Sequence, residues 1–144
     1  MKMNEMVTKV RHIGIIVKEI EKSIETFKNI FDVKYEDIKV LPPRGTEAES
    51  RFAFIPVAGI ELELIQPVSE SSRKMLGKPP EGINHIAFVV KNIEESVRLM
   101  EKRGVPLGHV TKKGILDMGR SKVAYFDPAA TGGILIEFVE PKKS

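Results

Sequence analysis

Cysteine is absent from the 144-residue chain. Its absence excludes disulfides, thiolate metal ligands and a cysteine nucleophile, and it fits a cytoplasmic protein. No apolar run approaches the roughly 20 residues needed to cross a bilayer. The first nine residues lack the apolar stretch of a secretory signal, and they are expected to be a frayed lead-in. Neither sign of charge dominates. The net charge is +3, the isoelectric point is near 9.1, and acidic and basic residues are mixed along the chain. Without a clustered basic face and stacking aromatics there is no case for nucleic acid. A phosphorylated small molecule is a more modest inference. The remaining composition, 42% hydrophobic and 30% charged, is that of a globular protein.

What is present is one phrase written twice. His12-Ile-Gly-Ile-Ile-Val-Lys-Glu-Ile-Glu-Lys-Ser23 returns as His85-Ile-Ala-Phe-Val-Val-Lys-Asn-Ile-Glu-Glu-Ser96, identical at seven of twelve positions with an offset of 73 residues. Each phrase has an echo further on: Glu63-Leu-Ile-Gln-Pro67 after the first and Glu137-Phe-Val-Glu-Pro141 after the second. His12 to Glu63 spans 51 residues and His85 to Glu137 spans 52. Each copy therefore carries one histidine and one glutamate at matching places.

Periodicity gives each copy the same element order. In the first, residues 10–17 read as a strand and 18–31 as an amphipathic helix on Ile20, Ile24, Phe27, Ile30 and Phe31. Residues 33–40 read as a second strand. Residues 41–46, with two prolines and a glycine, read as a loop. Strands over 50–56 and 60–65 follow, joined by a tight turn at 57–59. Residues 68–82 form a polar linker with room for a short helix at 71–76. In the second copy, 83–90 is a strand and Ile93, Val97 and Met100 mark a helix ending at Gly104. A short strand at 107–110, a loop at 111–119, and strands over 122–126 and 134–139 complete it. Three or four strands in about 65 residues leave one sheet face bare, so neither copy should fold alone. The expected fold is α+β: two tandem β-α-β-β-β modules forming a curved, partly closed mixed sheet with outer helices. Residues 1–144 would be a single domain, made of module 10–67 and module 83–141 joined by linker 68–82. The concave face at the repeat junction is a natural ligand site.

A lone strand histidine is most often a partly buried, hydrogen-bonded residue, and a lone glutamate near a strand end is usually solvated. Four such residues at repeated positions point elsewhere. Glu63 sits in Ile60-Glu-Leu-Glu-Leu-Ile65 and Glu137 in Ile134-Leu-Ile-Glu-Phe-Val139. A carboxylate in so apolar a strand is costly to desolvate unless it is paired or metal-bound. Two imidazoles and two carboxylates suit a divalent ion such as Co, Mn, Ni, Fe or Zn.

In His12-Ile-Gly-Ile, Phe54-Ile-Pro-Val, Gly82-Ile-Asn-His85-Ile-Ala-Phe, and the run Lys122-Val-Ala-Tyr-Phe-Asp-Pro-Ala-Ala-Thr-Gly-Gly-Ile-Leu-Ile-Glu137, the sequence resembles the vicinal oxygen chelate superfamily. Within it the chain is similar to the methylmalonyl-CoA epimerases, from about residue 10 to residue 140. The resemblance implies that fold, and it places the metal ligands on His12, Glu63, His85 and Glu137, with cobalt favoured. Gln66 is an alternative second ligand, but it lies on the opposite strand face from Glu63 and its echo is Glu140. One departure stands out. Some of these epimerases carry a further glutamate on the third strand, and here that position falls at Phe52, with Glu47 and Glu49 nearby.

The chemistry so implied is removal and return of the proton between a thioester and a carboxylate, through a metal-stabilised enolate. A carboxylate is a weak base in water, and burial strengthens it. Glu137 is the first candidate base, and Glu63 or Glu49 the second. Lys122, Arg120 and Arg44 are candidates for the coenzyme phosphates of an acyl-CoA substrate. Two other readings share the superfamily: a glyoxalase I-like lactoylglutathione lyase, which uses the same ligand types, and a non-catalytic small-molecule binder, which needs no metal ligands. A homodimer through an edge strand or the outer helices is compatible with all three. No nucleic acid or membrane partner is expected.

Overall fold

The computed structural model describes residues 2–43, 47–75 and 81–143, the Met75 side chain excepted. They fall into two compact units, one of His12–Asn84 and one of Met1–Arg11 with His85–Ser144. A helical turn α1 (Met3–Met6) leads directly into β1 (Val7–Ile16). The division between the units falls inside that strand, so residues 7–11 belong to one unit and 12–16 to the other.

In the unit His12–Asn84, β1 leads to α2 (Ile20–Phe31), a 3-10 turn at Tyr35–Asp37, then β2 (Lys39–Leu41), β3 (Ser50–Val57) and β4 (Ile60–Pro67). The strand order is β2-β3-β4-β1. β1 and β4 are parallel, and the other pairs antiparallel. Ala58 and Gly59, at φ 51° and 80°, make the two-residue left-handed turn that suits the twist of a hairpin, and it sets Val57 opposite Ile60. Strand side chains alternate between faces. Ile13, Ile15, Ala53, Ile55, Leu62 and Leu64 take the face that packs on Ile20 and Ile24 of α2. Ile55 and Leu64, fully buried there, each contribute about 1.5–3 kcal/mol. By the same alternation, His12, Phe54, Glu61 and Glu63 share the other face. A short helix α3 (Glu70–Met75) follows β4.

The other unit repeats the plan with β5 (Gly82–Val90), α4 (Ile93–Lys102), β6 (Leu116–Asp117), β7 (Ser121–Tyr125) and β8 (Leu135–Pro141). Its order is β1-β5-β8-β7-β6, with β5 and β8 parallel. The core on the helix side joins Val90, Ile93, Val97, Ala124, Phe126 and Phe138, and the Phe126 and Phe138 rings meet edge to face at 4.8 Å. Ala87, Val123 and Val139 pack together on the other face, with Tyr125 against them. The class is α+β, and both modules run β-α-β-β-β. No helix among the described residues is long and apolar enough to cross a membrane.

Three local expectations are corrected. The first residues are not a frayed lead-in: Met6 is buried, Met3 and Val7 pack against the core of the second unit, and the Lys91 N–H donates to the Met6 carbonyl at 3.0 Å. Residues 33–40 are mostly not strand, because Tyr35–Asp37 turns and pairing starts only at Lys39. Residues 107–110 are likewise not a strand: Leu107 makes an isolated bridge to Phe126 and a 3-10 turn starts at His109. The module's missing strand is instead Leu116–Asp117, inside the expected loop. The expected helix at 71–76 runs from Glu70 to Met75, with Leu76 outside the described residues.

Candidate functional site

Each unit carries one histidine–glutamate pair, built the same way. In the first, the parallel register sets Gly14 beside Glu63 and His12 beside Glu61. His12 is thus diagonal to Glu63 across neighbouring strands, and the Gly14 between them adds no side chain to separate them. The His12 Nε2 lies 3.5 Å from the Glu63 Oε1. In the second, Ala87 is beside Glu137 and His85 beside Leu135. The His85 Nε2 lies 3.3 Å from the Glu137 Oε1, and the two side chains are only 3% and 5% exposed. The first pair is shallower, at 10% and 13%. A glycine or alanine at the middle position is what lets a long carboxylate lean across to the diagonal histidine. That residue is Gly14 in one phrase and Ala87 in the other.

Separations of 3.3 and 3.5 Å exceed the usual 2.7–3.2 Å of an N–H···O hydrogen bond. Two donor atoms that each sit about 2.0–2.2 Å from one cation lie roughly 3–3.5 Å apart. Each pair therefore fits two ligands of a divalent ion, and the imidazole-plus-carboxylate set matches borderline ions.

Tyr125 is a member of this neighbourhood that periodicity alone did not single out. Its ring meets the edge of His85 at 5.6 Å and 75°, and its backbone is the register partner of Glu137. The buried Thr111 hydroxyl holds it from both sides, accepting from the Tyr125 N–H and donating to its carbonyl at 2.9 Å each. A sequence signal existed: the register partner of Glu63 in the first unit is also aromatic, Phe54.

The other candidates are placed differently. Glu49 lies just before β3, exposed, and accepts from the Ser71 hydroxyl at 3.1 Å. Its carbonyl takes the N–H groups of Val68 and Ser69. Lys122 alternates with Val123 and Tyr125, so it turns to the helix side of β7, away from His85 and Glu137. There its ammonium meets Glu94 of α4 at 2.7 Å. That contact holds Glu94 below, and Lys122 above, its ordinary pKa range. Arg120 is exposed between β6 and β7. Arg44 lies outside the described residues.

Gln66 and its echo Glu140 share a different task. The Ile20 N–H at the start of α2 donates to Gln66 Oε1 at 2.8 Å, and the Ile93 N–H at the start of α4 donates to Glu140 Oε1 at 2.9 Å. Each supplies an acceptor to a helix N-terminus that has unsatisfied donors. The third residue after each glutamate thus ties its strand to the helix on the opposite face.

Comparison with known proteins follows this geometry. Residues 11–125 match the model of the glyoxalase/bleomycin resistance protein/dioxygenase superfamily. An uncharacterised protein of Bacillus subtilis is 28% identical over 91% of this chain and 91% of its own length. The mitochondrial methylmalonyl-CoA epimerase of Homo sapiens is 26% identical over 90% of this chain and 72% of its own. The crystal structure of methylmalonyl-CoA epimerase from Mycobacterium tuberculosis superposes with a TM-score of 0.74 at 26% identity, over 96% of this chain and 91% of that one. With most of its length matched, and with the same repeat carrying both histidine–glutamate pairs, the chain belongs to the glyoxalase/bleomycin resistance protein/dioxygenase superfamily.

Proposed function

We propose that this protein is a metal-dependent epimerase of methylmalonyl-CoA. The observation that carries the reading is the doubled pair, His12–Glu63 and His85–Glu137, in a chain similar to named epimerases over most of its length. His12, Glu63, His85 and Glu137 are the proposed ligands, and each pair would supply an imidazole and a carboxylate to a divalent ion, cobalt being favoured. When bound, such an ion supplies Lewis-acid stabilisation of the negative charge that develops on a thioester oxygen.

The chain's own groups handle the proton. Glu137 takes it from the carbon between thioester and carboxylate. The electron pair of the broken C–H bond moves toward the thioester carbonyl. Return of a proton to the opposite face of the flattened carbon inverts the centre. The apolar side chains around the second pair, Ala87, Val123 and Val139, keep water from the reacting carbon and strengthen the charge interactions there. Arg120 remains a proposed partner of the coenzyme phosphates; Lys122, also proposed from the sequence, would have to leave Glu94 and reach round from the helix side of β7.

Deuterium exchange tests the reading. The protein is incubated with methylmalonyl-CoA in heavy water, with and without a chelator, and the α-proton is followed by NMR. Fast exchange that the chelator abolishes and cobalt restores is the expected result. No exchange in a protein that holds metal would sink the proposal and favour a lyase acting on a glutathione hemithioacetal. No exchange and no bound metal would favour a binding protein.

A further inference from the structure

Beside the second histidine–glutamate pair, one side chain takes the place of a strand edge. The Phe126 N–H donates to the Ile136 carbonyl at 3.0 Å, so these two residues form a hydrogen-bonded pair across β7 and β8. Their neighbours Tyr125 and Glu137 then form a non-hydrogen-bonded pair. In such a pair the side chains stand close, and the backbone groups point away from the partner strand. The N–H and carbonyl of Tyr125 therefore face the outer edge of β7. Continuing the β6–β7 register back from Leu116 and on from Val123 would set Gly114 against them. The chain turns first, with the Gly114 N–H donating to the Thr111 carbonyl at 2.9 Å. In the first unit the corresponding aromatic, Phe54, has an ordinary strand partner in Lys39.

Thr111 fills that place. It is fully buried, and its hydroxyl accepts from the Tyr125 N–H and donates to the Tyr125 carbonyl. The Gly108 N–H donates to the same carbonyl at 2.7 Å, and the Asp127 N–H donates to the Pro106 carbonyl at 2.9 Å. A Cβ at Gly108 would lie 2.8 Å from the Phe126 carbonyl oxygen, so the chain before Thr111 lies directly on β7. Without the hydroxyl, the Tyr125 carbonyl keeps its bond from Gly108, but the N–H loses the acceptor that Thr111 gives it. A buried backbone donor stripped of its acceptor is costly, and β7 relieves that cost by shifting at Tyr125. The shift reaches the site in one step. The Tyr125 ring meets His85 edge to face, and its side chain stands beside Glu137.

We infer that Thr111 is a positioning residue for the His85–Glu137 pair; this rests on the reading above of that pair as metal ligands. Its hydroxyl fixes the backbone of Tyr125, and the Tyr125 ring fixes the tilt of the His85 imidazole. Thr111 thus acts through Tyr125 and not on the ion. Supports one contact removed from a metal are worth about 10–100-fold in affinity. Valine keeps the shape of threonine without the hydroxyl, and serine keeps the hydroxyl, so the two substitutions separate packing from hydrogen bonding.

Wild type, Thr111→Val, Thr111→Ser, Tyr125→Leu and Val97→Ala are compared. The chain has three histidines, so the ring protons of His85 can be assigned by NMR in metal-free protein. Cobalt affinity, the visible absorption of the cobalt-loaded protein and the urea midpoint are measured alongside. In Thr111→Val the His85 ring signals should move, and cobalt affinity should fall about 10-fold or more with a changed absorption. Thr111→Ser should keep the wild-type signals, absorption and affinity. Val97 belongs to the core on the helix side of the sheet; Val97→Ala should lower the midpoint and leave the other readings unchanged. Tyr125→Leu keeps the Thr111 bonds but lacks the ring. It should weaken cobalt binding as Thr111→Val does, and it decides the matter if Thr111→Val does not fold. The assignment is overturned if Thr111→Val keeps the wild-type His85 signals or cobalt affinity, if Val97→Ala changes them equally, or if Thr111→Ser behaves like Thr111→Val. It is also overturned if Tyr125→Leu binds cobalt within about twofold of wild type. A wild type that takes up no cobalt fails the metal reading instead, and the metal-free His85 signals still test Thr111.

Discussion

At the scale of single residues, the two histidine–glutamate pairs are equivalent in register and unequal in depth. His85 and Glu137 are almost fully enclosed, whereas His12 and Glu63 keep some access to water. A buried polar group stripped of its partner costs about 1–3 kcal/mol, and less where water can replace the partner. His85→Ala should therefore lower the stability of metal-free protein more than His12→Ala, by a difference on the order of 1 kcal/mol. Urea unfolding in chelator measures it, and equal losses would contradict the depth difference. Both variants should weaken cobalt binding by roughly 100-fold or more, because even residues that only support a ligand are worth 10–100-fold. Titration calorimetry gives that number.

Glu94 and Lys122 make the residue-scale prediction about pH. The hydrogen bond from Lys122 lowers the Glu94 pKa. A lowered carboxylate contributes stability above its unfolded pKa and loses it as pH falls through the folded value. The pair is partly exposed, so the effect is small and screened by salt. Wild type should exceed Glu94→Gln in unfolding midpoint at pH 7, and the gap should shrink as pH falls below the usual carboxylate range. A gap that does not change with pH would place the stabilisation in something other than the ion pair.

Among the elements, the two main helices depend on strand residues for their first turns. Gln66 and Glu140 each serve a helix from the far end of a strand, and removing a cap acceptor costs about 0.5–2 kcal/mol. Gln66→Ala and Glu140→Ala should each fall in that range by urea denaturation. Glu140→Gln should keep most of the stability, because Gln66 shows that an amide oxygen suffices in the same geometry. Asn92 also caps α4 through the Glu95 N–H, so Glu140→Ala should be the milder of the two alanine variants.

These elements also show what a sequence can and cannot disclose. The strands with His12 and His85, and the helices after them, were legible because a duplicated phrase fixes both periodicity and boundaries. The matching of Gln66 with Glu140 was legible, but their capping task was not, since it joins residues 46 and 47 positions apart. The short strand at Leu116–Asp117 has too few residues to show alternation. Tyr35–Asp37 alternates weakly like a strand, yet its backbone closes a 3-10 turn with the Ile38 N–H on the Tyr35 carbonyl. The role of Met3 and Met6 was hidden because their partners in the second core lie some eighty or more residues away.

For the whole molecule, a bound ion would stabilise the folded state. A ligand that binds only the folded state at about 100 times its Kd adds about 2.7 kcal/mol. Cobalt should raise the unfolding temperature, a chelator should reverse the rise, and binding should saturate at one ion per chain. Two ions per chain would instead assign each pair its own metal.

The division of β1 between the units bears on the order in which the protein is made. A ribosome releases the chain from its N-terminus, so residues 7–11 leave the tunnel well before β5. Their place is beside β5: the Thr8 hydroxyl donates to the Val89 carbonyl at 3.3 Å. The segment His12–Asn84 can reach its own contacts while translation continues, but residues 7–11 must wait for β5. During that interval residues 7–11 present an open strand edge. That strand segment thus stays idle until the copy of its own phrase emerges.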